Sequence, residues 1–286
     1  MLVALAINLA MLAATIVGGV LAHSLVLLAD GGHLISDVAA IGIALVAARL
    51  ASVAPTAART YGLQRTEVFG ALFNGIGLVV VSALIVFEAI ARFSDPPHVT
   101  GAAVLVLGLA GLAGNAAATI VLLGGERDDL NLEGVLRHSV GDALSSIGVV
   151  VAGVIVLTTG WNAADPVVSL LIAALIAASS WRLLKEPIDV LLEAAPAGMS
   201  AREVGEALAA DPDVVEVHDL HVWTVTSGFP AMSAHIVVAR ECDRDVVRRR
   251  LEQLLQERFD IEHTTLQVVR AAGTGELLQV ESPPGG

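Results

Sequence analysis

The sequence LADGGHLISD at residues 28–37 decides the fold of this chain, because it places ionisable side chains inside a long apolar stretch. His33 and Asp37 are four residues apart, so a helix presents both on the same side. The same spacing recurs at His138 and Asp142, again within an apolar stretch. Ionisable groups are costly in lipid and usually face a partner or a water-filled path. The two motifs therefore predict two membrane helices that each aim an imidazole and a carboxylate inwards.

Together the motifs offer two nitrogen and two oxygen ligands, which complete a four-coordinate site of the kind that suits Zn²⁺. We therefore take His33, Asp37, His138 and Asp142 as the candidate metal ligands. A metal site in mid-membrane indicates that the metal is moved across the bilayer. The alternative is that the motifs are two unrelated helix-packing pairs. Asp30, one turn before His33, either orients the site or relays protons, or it is a helix-end residue near the outer surface.

The composition is typical of a membrane protein with an acidic soluble part. Of the 286 residues, 55% are hydrophobic, and the mean hydropathy is +0.76, which is rare in a soluble domain. The single cysteine, Cys242, excludes a disulfide framework or a thiolate metal cluster within one chain. The net charge of -13 argues against a nucleic-acid partner. From Glu186 onward there are 18 acidic and 8 basic residues, so the main domain boundary is expected there.

Six apolar segments reach the roughly 20 residues that a helix needs to cross a bilayer. The first of them has no basic flank and is long for a signal peptide, so we interpret it as a membrane helix. The segments are Leu2–Ala22, Ser24–Leu50, Val68–Ala91, Val99–Gly124, Val135–Thr159 and Ala164–Leu184.

Basic loop residues indicate the orientation, because cytoplasmic loops carry an excess of Lys and Arg. With a cytoplasmic N-terminus, the outer flanks hold only Arg92. Seven basic residues lie on the inner flanks, namely Arg49, Arg59, Arg65, Arg127, Arg137, Arg182 and Lys185. Both termini are therefore expected in the cytoplasm. The second and fifth helices then run antiparallel, which permits a shared site near the midplane.

The region after Lys185 is predicted to be a small α+β domain with the order αββαβ. Its elements are a helix opened by the capping box Ser200–Glu203, strands Val214–Thr226 and Ala231–Ala239, a helix over Asp243–Phe259 and a strand over Ile261–Arg270. We thus predict a six-helix transmembrane domain at 1–185, a cytoplasmic α+β domain at 186–275, and a disordered tail at 276–286.

These residues resemble the cation diffusion facilitator family of divalent-metal transporters, and the resemblance covers nearly the whole chain. Beyond the two H-x-x-x-D motifs, the matching stretches are YGLQRTE at 61–67, VHDLHVW at 217–223 and SAH at 233–235. The resemblance implies a homodimer in the lipid bilayer, with six transmembrane helices per subunit. It further implies that 186–275 is a cytoplasmic metallochaperone-like domain for metal sensing and dimerisation. It also implies export of cytoplasmic Zn²⁺ in exchange for protons, with the four motif residues as the transport site.

The resemblance further implies a metal site in the cytoplasmic domain. His218 and His235 are directly opposed on two antiparallel strands if the hairpin is centred between Thr226 and Ser227. His221 and His263 are additional candidates, whereas Val269 stands where several relatives carry a carboxylate. Zn²⁺ would then be a regulatory ligand as well as the substrate, because a cation reduces the repulsion between two acidic domains.

Other functions are open on the sequence alone. The chain could export Mn²⁺, Cd²⁺, Co²⁺ or Fe²⁺, or it could be a membrane metal sensor or scaffold that does not transport. An intramembrane metalloenzyme is not expected, because there is no H-E-x-x-H motif and a closed four-ligand shell leaves no position for a catalytic water. Arginine outnumbers lysine 15 to 1, which indicates a bacterial genome rich in G and C. The expected location is the plasma membrane, which is the inner membrane of a bacterium.

Overall fold

The structure is a computed structural model that describes residues 2–123 and 132–271. It forms two compact units, Met1–Pro187 and Ile188–Gly286. Six helices run through the first unit, and the last of them ends just beyond it: α1 Leu2–Leu21, α2 Leu25–Ala51, α3 Thr66–Ser94, α4 Gly101–Leu123, α5 Leu132–Thr159 and α6 Ala164–Leu191. The six predicted membrane helices are therefore present and in the predicted order.

The surface of the first unit is suited to lipid. By length and composition, four described helical segments can cross a membrane: Leu25–Ala47, Thr66–Ser94, Val140–Thr159 and Ala164–Leu191. Shorter apolar helices occupy Asn8–Leu21 and Gly101–Ala117. Large apolar side chains on these helices point outwards, which a soluble domain would avoid; examples are Leu21, Phe73, Phe87, Ile120 and Leu171.

Helices α4 and α5 approach each other closely because glycine stands at their contact points. A Cβ atom added at Gly153 would lie 2.6 Å from the backbone nitrogen of Leu105. One added at Gly101 would lie 2.7 Å from the backbone nitrogen of Leu157. Small residues at such contacts let membrane helices pack backbone to backbone, where dispersion forces are strongest. This contact fixes the position of α5, which carries the second H-x-x-x-D motif.

The start of α2, which carries the first motif, is held by a residue from another helix. The buried carboxylate of Asp165, in the first turn of α6, accepts hydrogen bonds from the Ser24 hydroxyl at 2.6 Å and the Leu25 backbone nitrogen at 2.7 Å. A guanidinium nitrogen of Arg92 lies 3.9 Å from the same carboxylate and donates to the His23 carbonyl at 2.8 Å. Asp165 thus caps the N-terminus of α2 from outside, satisfying donors that a helix leaves open.

Helix α6 is longer than predicted. The apolar pattern stops at Leu184, but the helix continues through Lys185 and Pro187 to Leu191. Proline removes one backbone donor and not the whole hydrogen-bond ladder, so a helix can pass through it when the remaining bonds hold. The apolar pattern indicates which part of a helix lies in an apolar environment. The helix itself can continue beyond that part.

The second unit has the predicted order αββαβ: α7 Ala201–Ala209, β1 Val214–Thr226, β2 Phe229–Val238, α8 Arg244–Phe259 and β3 His263–Arg270. The sheet order is β1-β2-β3, with β1 and β2 antiparallel and β2 and β3 parallel. One sheet face packs on the helices through buried residues, including Val204, Leu208, Met232, Ile236, Leu251 and Leu255. The other face, which we call the polar sheet face, includes His218, His235, Thr265 and Gln267.

The two helix starts in this unit differ from the prediction in detail. Ser200 is the N-cap of α7, but its side chain makes no capping hydrogen bond, so the predicted capping box does not form. Asp243 lies just before α8 and acts as its cap, because its carboxylate accepts from the backbone nitrogens of Asp245 and Val246. A short polar side chain at an N-cap satisfies open donors in this way.

The hairpin pairs His218 with His235 as predicted, although its turn is displaced by one residue. The turn is Ser227-Gly228, and β2 begins at Phe229, two residues earlier than expected. Irregularities between Thr224 and Thr226 and between His218 and His221 shift the register. These bulges restore the histidine pair that a regular hairpin with this turn would separate.

Candidate metal centre

Three of the four predicted ligands come together between α2 and α5. His33, Asp37 and Asp142 each offer a ligand atom within 4.8 Å of the others, and within the described parts of the chain they are the sole cluster of this kind. Their side chains are largely buried, with exposed fractions of 17%, 12% and 17%. A buried imidazole with two carboxylates at membrane depth requires a charged partner, since lipid does not solvate it.

The distances in the cluster suit a small divalent cation. Nδ1 of His33 lies 3.2 Å from Oδ2 of Asp37, and Nε2 of His33 lies 3.7 Å from Oδ1 of Asp142. Ligand bonds of about 2.0–2.1 Å in a tetrahedral zinc site place ligand atoms about 3.3 Å apart. Small side-chain rotations would bring the three groups around one ion, because the atoms are already near this separation.

His138, the fourth predicted ligand, is in helix α5, four residues before Asp142. Its side chain lies outside the described residues, so its part in the site stays a prediction. The predicted disordered tail at 276–286 also lies outside them.

Polar side chains around the cluster join the helices that carry it. The Ser145 hydroxyl of α5 donates to Oδ1 of Asp30 of α2 at 2.8 Å, and Asp30 is 8% exposed. Asp30 is therefore a buried residue of the α2–α5 contact. Asp30 stands out in the sequence as a charge inside an apolar stretch, whereas Ser145 does not. Ser145 lies three residues after Asp142, just as Asp30 lies three residues before His33.

Two asparagines join neighbouring helices beside the cluster. Asn74 of α3 accepts from the Ser36 hydroxyl of α2 at 3.0 Å. Asn115 of α4 donates to the Ser146 hydroxyl at 3.0 Å and to the Asp142 backbone carbonyl at 3.4 Å. These three bonds hold residues that belong to the candidate ligand cluster or lie close to it. Asp165 was missed altogether, because a carboxylate at the start of a helix is common.

In the second unit, the predicted pair of histidines is present on the polar sheet face. The rings of His218 and His235 lie 5.3 Å apart and at 87° to each other. Asp219, in the bulge beside His218 with φ of 50°, lies 2.9 Å from His221 and 3.9 Å from His235. The hydrogen bond from His221 lowers the pKa of the Asp219 carboxyl, so this face holds a negative charge among its histidines.

These side chains are more widely spaced than those of the buried cluster. No three of the described acidic or histidine residues of the second unit bring ligand atoms within 4.8 Å of one another. The β3 residue beside His235 is Gln267, which is a neutral amide, and Val269 lies two residues further along. His263 instead stacks edge-on against Phe229, with ring centres 5.6 Å apart.

The fold and the cluster define a class of protein: an integral membrane protein of six helices with a buried cluster of potential metal ligands and an α+β domain. Comparison with known proteins agrees with this. The family described as cation efflux transmembrane domain matches residues 1–192, and the cation efflux protein cytoplasmic domain matches residues 196–270. The chain belongs to the cation efflux family, whose members transport metal ions.

Two curated relatives and one solved structure illustrate the similarity. The zinc transporter ZitB of Shigella flexneri is 39% identical over 255 residues, covering 88% of this chain and 81% of that protein. A cadmium, cobalt and zinc/H(+)-K(+) antiporter of Bacillus velezensis is 36% identical over 261 residues, covering 90% and 83%. The metal-bound C-terminal domain of the CzcD transporter is 35% identical, with a TM-score of 0.24, and covers 25% of this chain and 99% of that domain.

Proposed function

We propose that this protein exports Zn²⁺ from the cytoplasm in exchange for protons, with His33, Asp37, His138 and Asp142 as the transport site. The observation that carries the proposal is the buried cluster of one imidazole and two carboxylates between α2 and α5. Imidazole nitrogen favours zinc over the harder divalent ions, which prefer shells made of oxygen alone. The name of the ZitB relative supports zinc as the substrate.

The register of α2 against α5 supports His138 as the fourth ligand. His33 on α2 lies beside Asp142 on α5. Four residues further along α2 is Asp37, and four residues back along α5 is His138. In antiparallel helices equal steps in opposite directions reach the same level, so Asp37 and His138 are expected to face each other. The site would then contain two nitrogen and two oxygen ligands.

Exchange with protons follows from competition for the same atoms. Nδ1 of His33 is at hydrogen-bond distance from Asp37, and Nε2 faces Asp142. An imidazole that carries protons on both nitrogens has no lone pair left for a metal. Zinc therefore binds as protons leave, and returning protons release it. The antiporter relative, whose name includes protons, supports this direction of exchange.

The basic residues of the loops support the proposed orientation in the membrane, and exposed tryptophans support the proposed span. We propose that both termini are cytoplasmic and that the chain resides in the inner membrane of a bacterium. Trp161 and Trp181 are both exposed, and at about 1.5 Å per residue they are separated by about 30 Å, the thickness of a bilayer core. Tryptophan is enriched at the two membrane interfaces.

The second unit is proposed to regulate transport as part of a homodimer. Residues 196–270 match the family described as the cytoplasmic domain of cation efflux proteins, which supports a location outside the bilayer. His218 and His235, with Asp219 beside them, offer a site for a regulatory Zn²⁺. Such an ion would reduce the repulsion between two acidic domains. The proposed domains are 1–185 for transport and 186–275 for sensing and dimerisation.

A transporter of cadmium or cobalt is the second candidate, because the antiporter relative is named for those ions together with zinc. A sensor or scaffold that does not transport, or an enzyme, receives no support from the relatives. Metal competition in transport assays ranks zinc against cadmium and cobalt.

The test is zinc flux in proteoliposomes that contain a zinc dye and a pH dye. Asp37→Ala and Asp142→Ala each remove a negative ligand, so zinc flux should fall at least about tenfold. The wild type should move protons opposite to zinc. Asp95→Ala, which removes an exposed aspartate before α4, is the matched control and should transport normally. Normal flux in Asp142→Ala would refute the site, and flux indifferent to the pH gradient would refute the exchange.

A further inference from the structure

The hydrogen bond between Asp30 and Ser145 lies close to the ligand cluster and is not part of it. Its two residues belong to α2 and α5, the helices that carry the ligands, and both side chains are buried at 8% and 3% exposure. A carboxylate at this depth is costly unless it has a partner, and the Ser145 hydroxyl is that partner at 2.8 Å.

This bond has the same helix register as the ligands. Three residues separate Asp30 from His33 on α2, and three residues separate Ser145 from Asp142 on α5, in opposite chain directions. The Asp30–Ser145 bond is therefore one helical turn from the His33–Asp142 contact, on the same pair of helix faces. A slide or rotation of one helix that separated His33 from Asp142 would also break the bond.

We propose that Asp30 and Ser145 are positioning residues that hold α2 and α5 in the register at which the transport ligands meet. This inference rests on the proposed function of the quartet. The bond acts through geometry: it fixes the level of His33 against Asp142 and, by the same register, of Asp37 against the predicted ligand His138. The bond is directional and joins two buried side chains, so sliding one helix along the other would cost it.

The position of Asp30 gives a clear alternative, which is that its negative charge attracts the cation and its bond to Ser145 is incidental. The two roles differ in what each substitution does. Asp30→Asn keeps an acceptor oxygen for Ser145 and removes the charge. Ser145→Ala keeps the charge and removes the bond.

The experiment measures zinc flux against zinc concentration for the full chain in proteoliposomes. Ser145→Ala and Asp30→Ala should each raise the apparent KM for zinc about tenfold with a smaller effect on the maximal rate, because misplaced ligands bind the metal less well. Asp30→Asn and Ser145→Thr should restore a KM near the wild-type value. The double variant Asp30→Ala with Ser145→Ala should be no worse than either single variant, because both remove one interaction.

The matched control is Ser180→Ala, since Ser180 is equally buried but its hydroxyl donates to the Ile176 carbonyl of its own helix. It should transport with an unchanged KM. A wild-type KM in Ser145→Ala would overturn the proposal, and so would an Asp30→Asn variant as impaired as Asp30→Ala. Failure of the quartet assignment is a separate result, because it would appear as zinc flux in Asp142→Ala.

Discussion

At the scale of single residues, the imidazole of His33 is expected to set which metal the proposed transport site prefers. It lies between two carboxylates, with one ring nitrogen facing each. The carboxylates supply charge for any divalent ion, whereas the nitrogen ligand supplies the preference for zinc. Metal choice should therefore depend on His33 more than on Asp37 or Asp142.

His33→Asp tests this preference. The substitution replaces a nitrogen ligand with a harder oxygen, so zinc transport should fall relative to manganese and cadmium, and the zinc-to-manganese ratio should drop about tenfold. Competition between zinc and each second metal in proteoliposomes gives the ratio. His98→Asp, at an exposed histidine before α4, is the matched control. An unchanged ratio in His33→Asp would place selectivity elsewhere.

The proximity of His33, Asp37 and Asp142 could be expected from spacing, because four residues along a helix make about one turn and the two residues of each motif share a face. The contact between the two motifs could be predicted only as possible, because antiparallel second and fifth helices permit a shared site but do not require one. Ser145 could not be recognised, because serine is common in membrane helices and its role depends on which residue faces it across the α2–α5 contact.

At the scale of helices and strands, the start of α2 depends on a carboxylate from α6. Asp165 is 1% exposed and accepts from Ser24, Leu25 and Val26, while Arg92 lies nearby. Ser24 caps α2 locally, because its hydroxyl accepts from the Leu27 backbone nitrogen at 3.3 Å. The part of Asp165, which comes from a distant helix, could be found only from the folded chain. By fixing the first turn of α2, Asp165 also fixes the depth of His33.

Asp165→Ala should destabilise the membrane domain by about 2–3 kcal/mol, because it leaves several buried donors without an acceptor. Asp165→Asn should be milder, since it keeps one acceptor oxygen. Thermal unfolding of the purified protein in detergent, followed by size-exclusion chromatography, measures the loss. Asp95→Asn, an exposed aspartate after α3, should be neutral. Equal stability of Asp165→Ala and the wild type would contradict the capping role.

A second element contact joins α8 to the turn before β1. Arg250 donates to both carboxylate oxygens of Asp211, at 2.5 and 2.6 Å, and to Asp213 at 2.8 Å. The guanidinium lowers the pKa of the Asp211 carboxyl, and the two carboxylates raise the pKa of Arg250. The two parallel hydrogen bonds from the planar guanidinium match the two oxygens of the Asp211 carboxylate, and a lysine ammonium could not reproduce this geometry.

The pH dependence of this contact has a definite sign. Because the folded pKa of Asp211 is lowered, its contribution to stability is present above the unfolded value near ~3.9 and is lost as pH falls through the folded value. Arg250→Ala should remove this contribution, so the residues around Asp211 should exchange amide hydrogens faster than in the wild type at about pH 5–7, where the carboxyl is ionised. Below the folded pKa the two proteins should converge.

Hydrogen exchange of the full chain, read by mass spectrometry for peptides covering 209–216, checks this prediction. Arg249→Ala, on the same helix and exposed, is the control. Identical exchange in Arg250→Ala and the wild type at neutral pH would show that the contact does not hold the turn.

At the scale of the whole molecule, composition separates an apolar unit from an acidic one, and this division could be predicted from the sequence. The bilayer imposes apolar residues on one part, while the other carries most of the net charge. The order of helices and strands followed from periodicity. The two bulges that align His218 with His235 could not be predicted, because the sequence does not show which residues of β1 remain unpaired with β2.

The last prediction concerns the acidic unit as a sensor of zinc. His218→Ala combined with His235→Ala should weaken zinc binding outside the transport site and reduce the acceleration of transport by cytoplasmic zinc, while basal flux persists. Gln267→Glu should have the opposite effect, because Gln267 is paired with His235 and a carboxylate there adds an anionic ligand. Thr265→Ala, on the same strand and exposed, is the control.

Calorimetry on the full chain that also carries Asp142→Ala isolates zinc binding by the polar sheet face from binding at the proposed transport site. Flux measurements with the proposed transport site intact give the response to cytoplasmic zinc. If the double histidine variant and Gln267→Glu both bind zinc as the parent does, the polar sheet face is not a metal site.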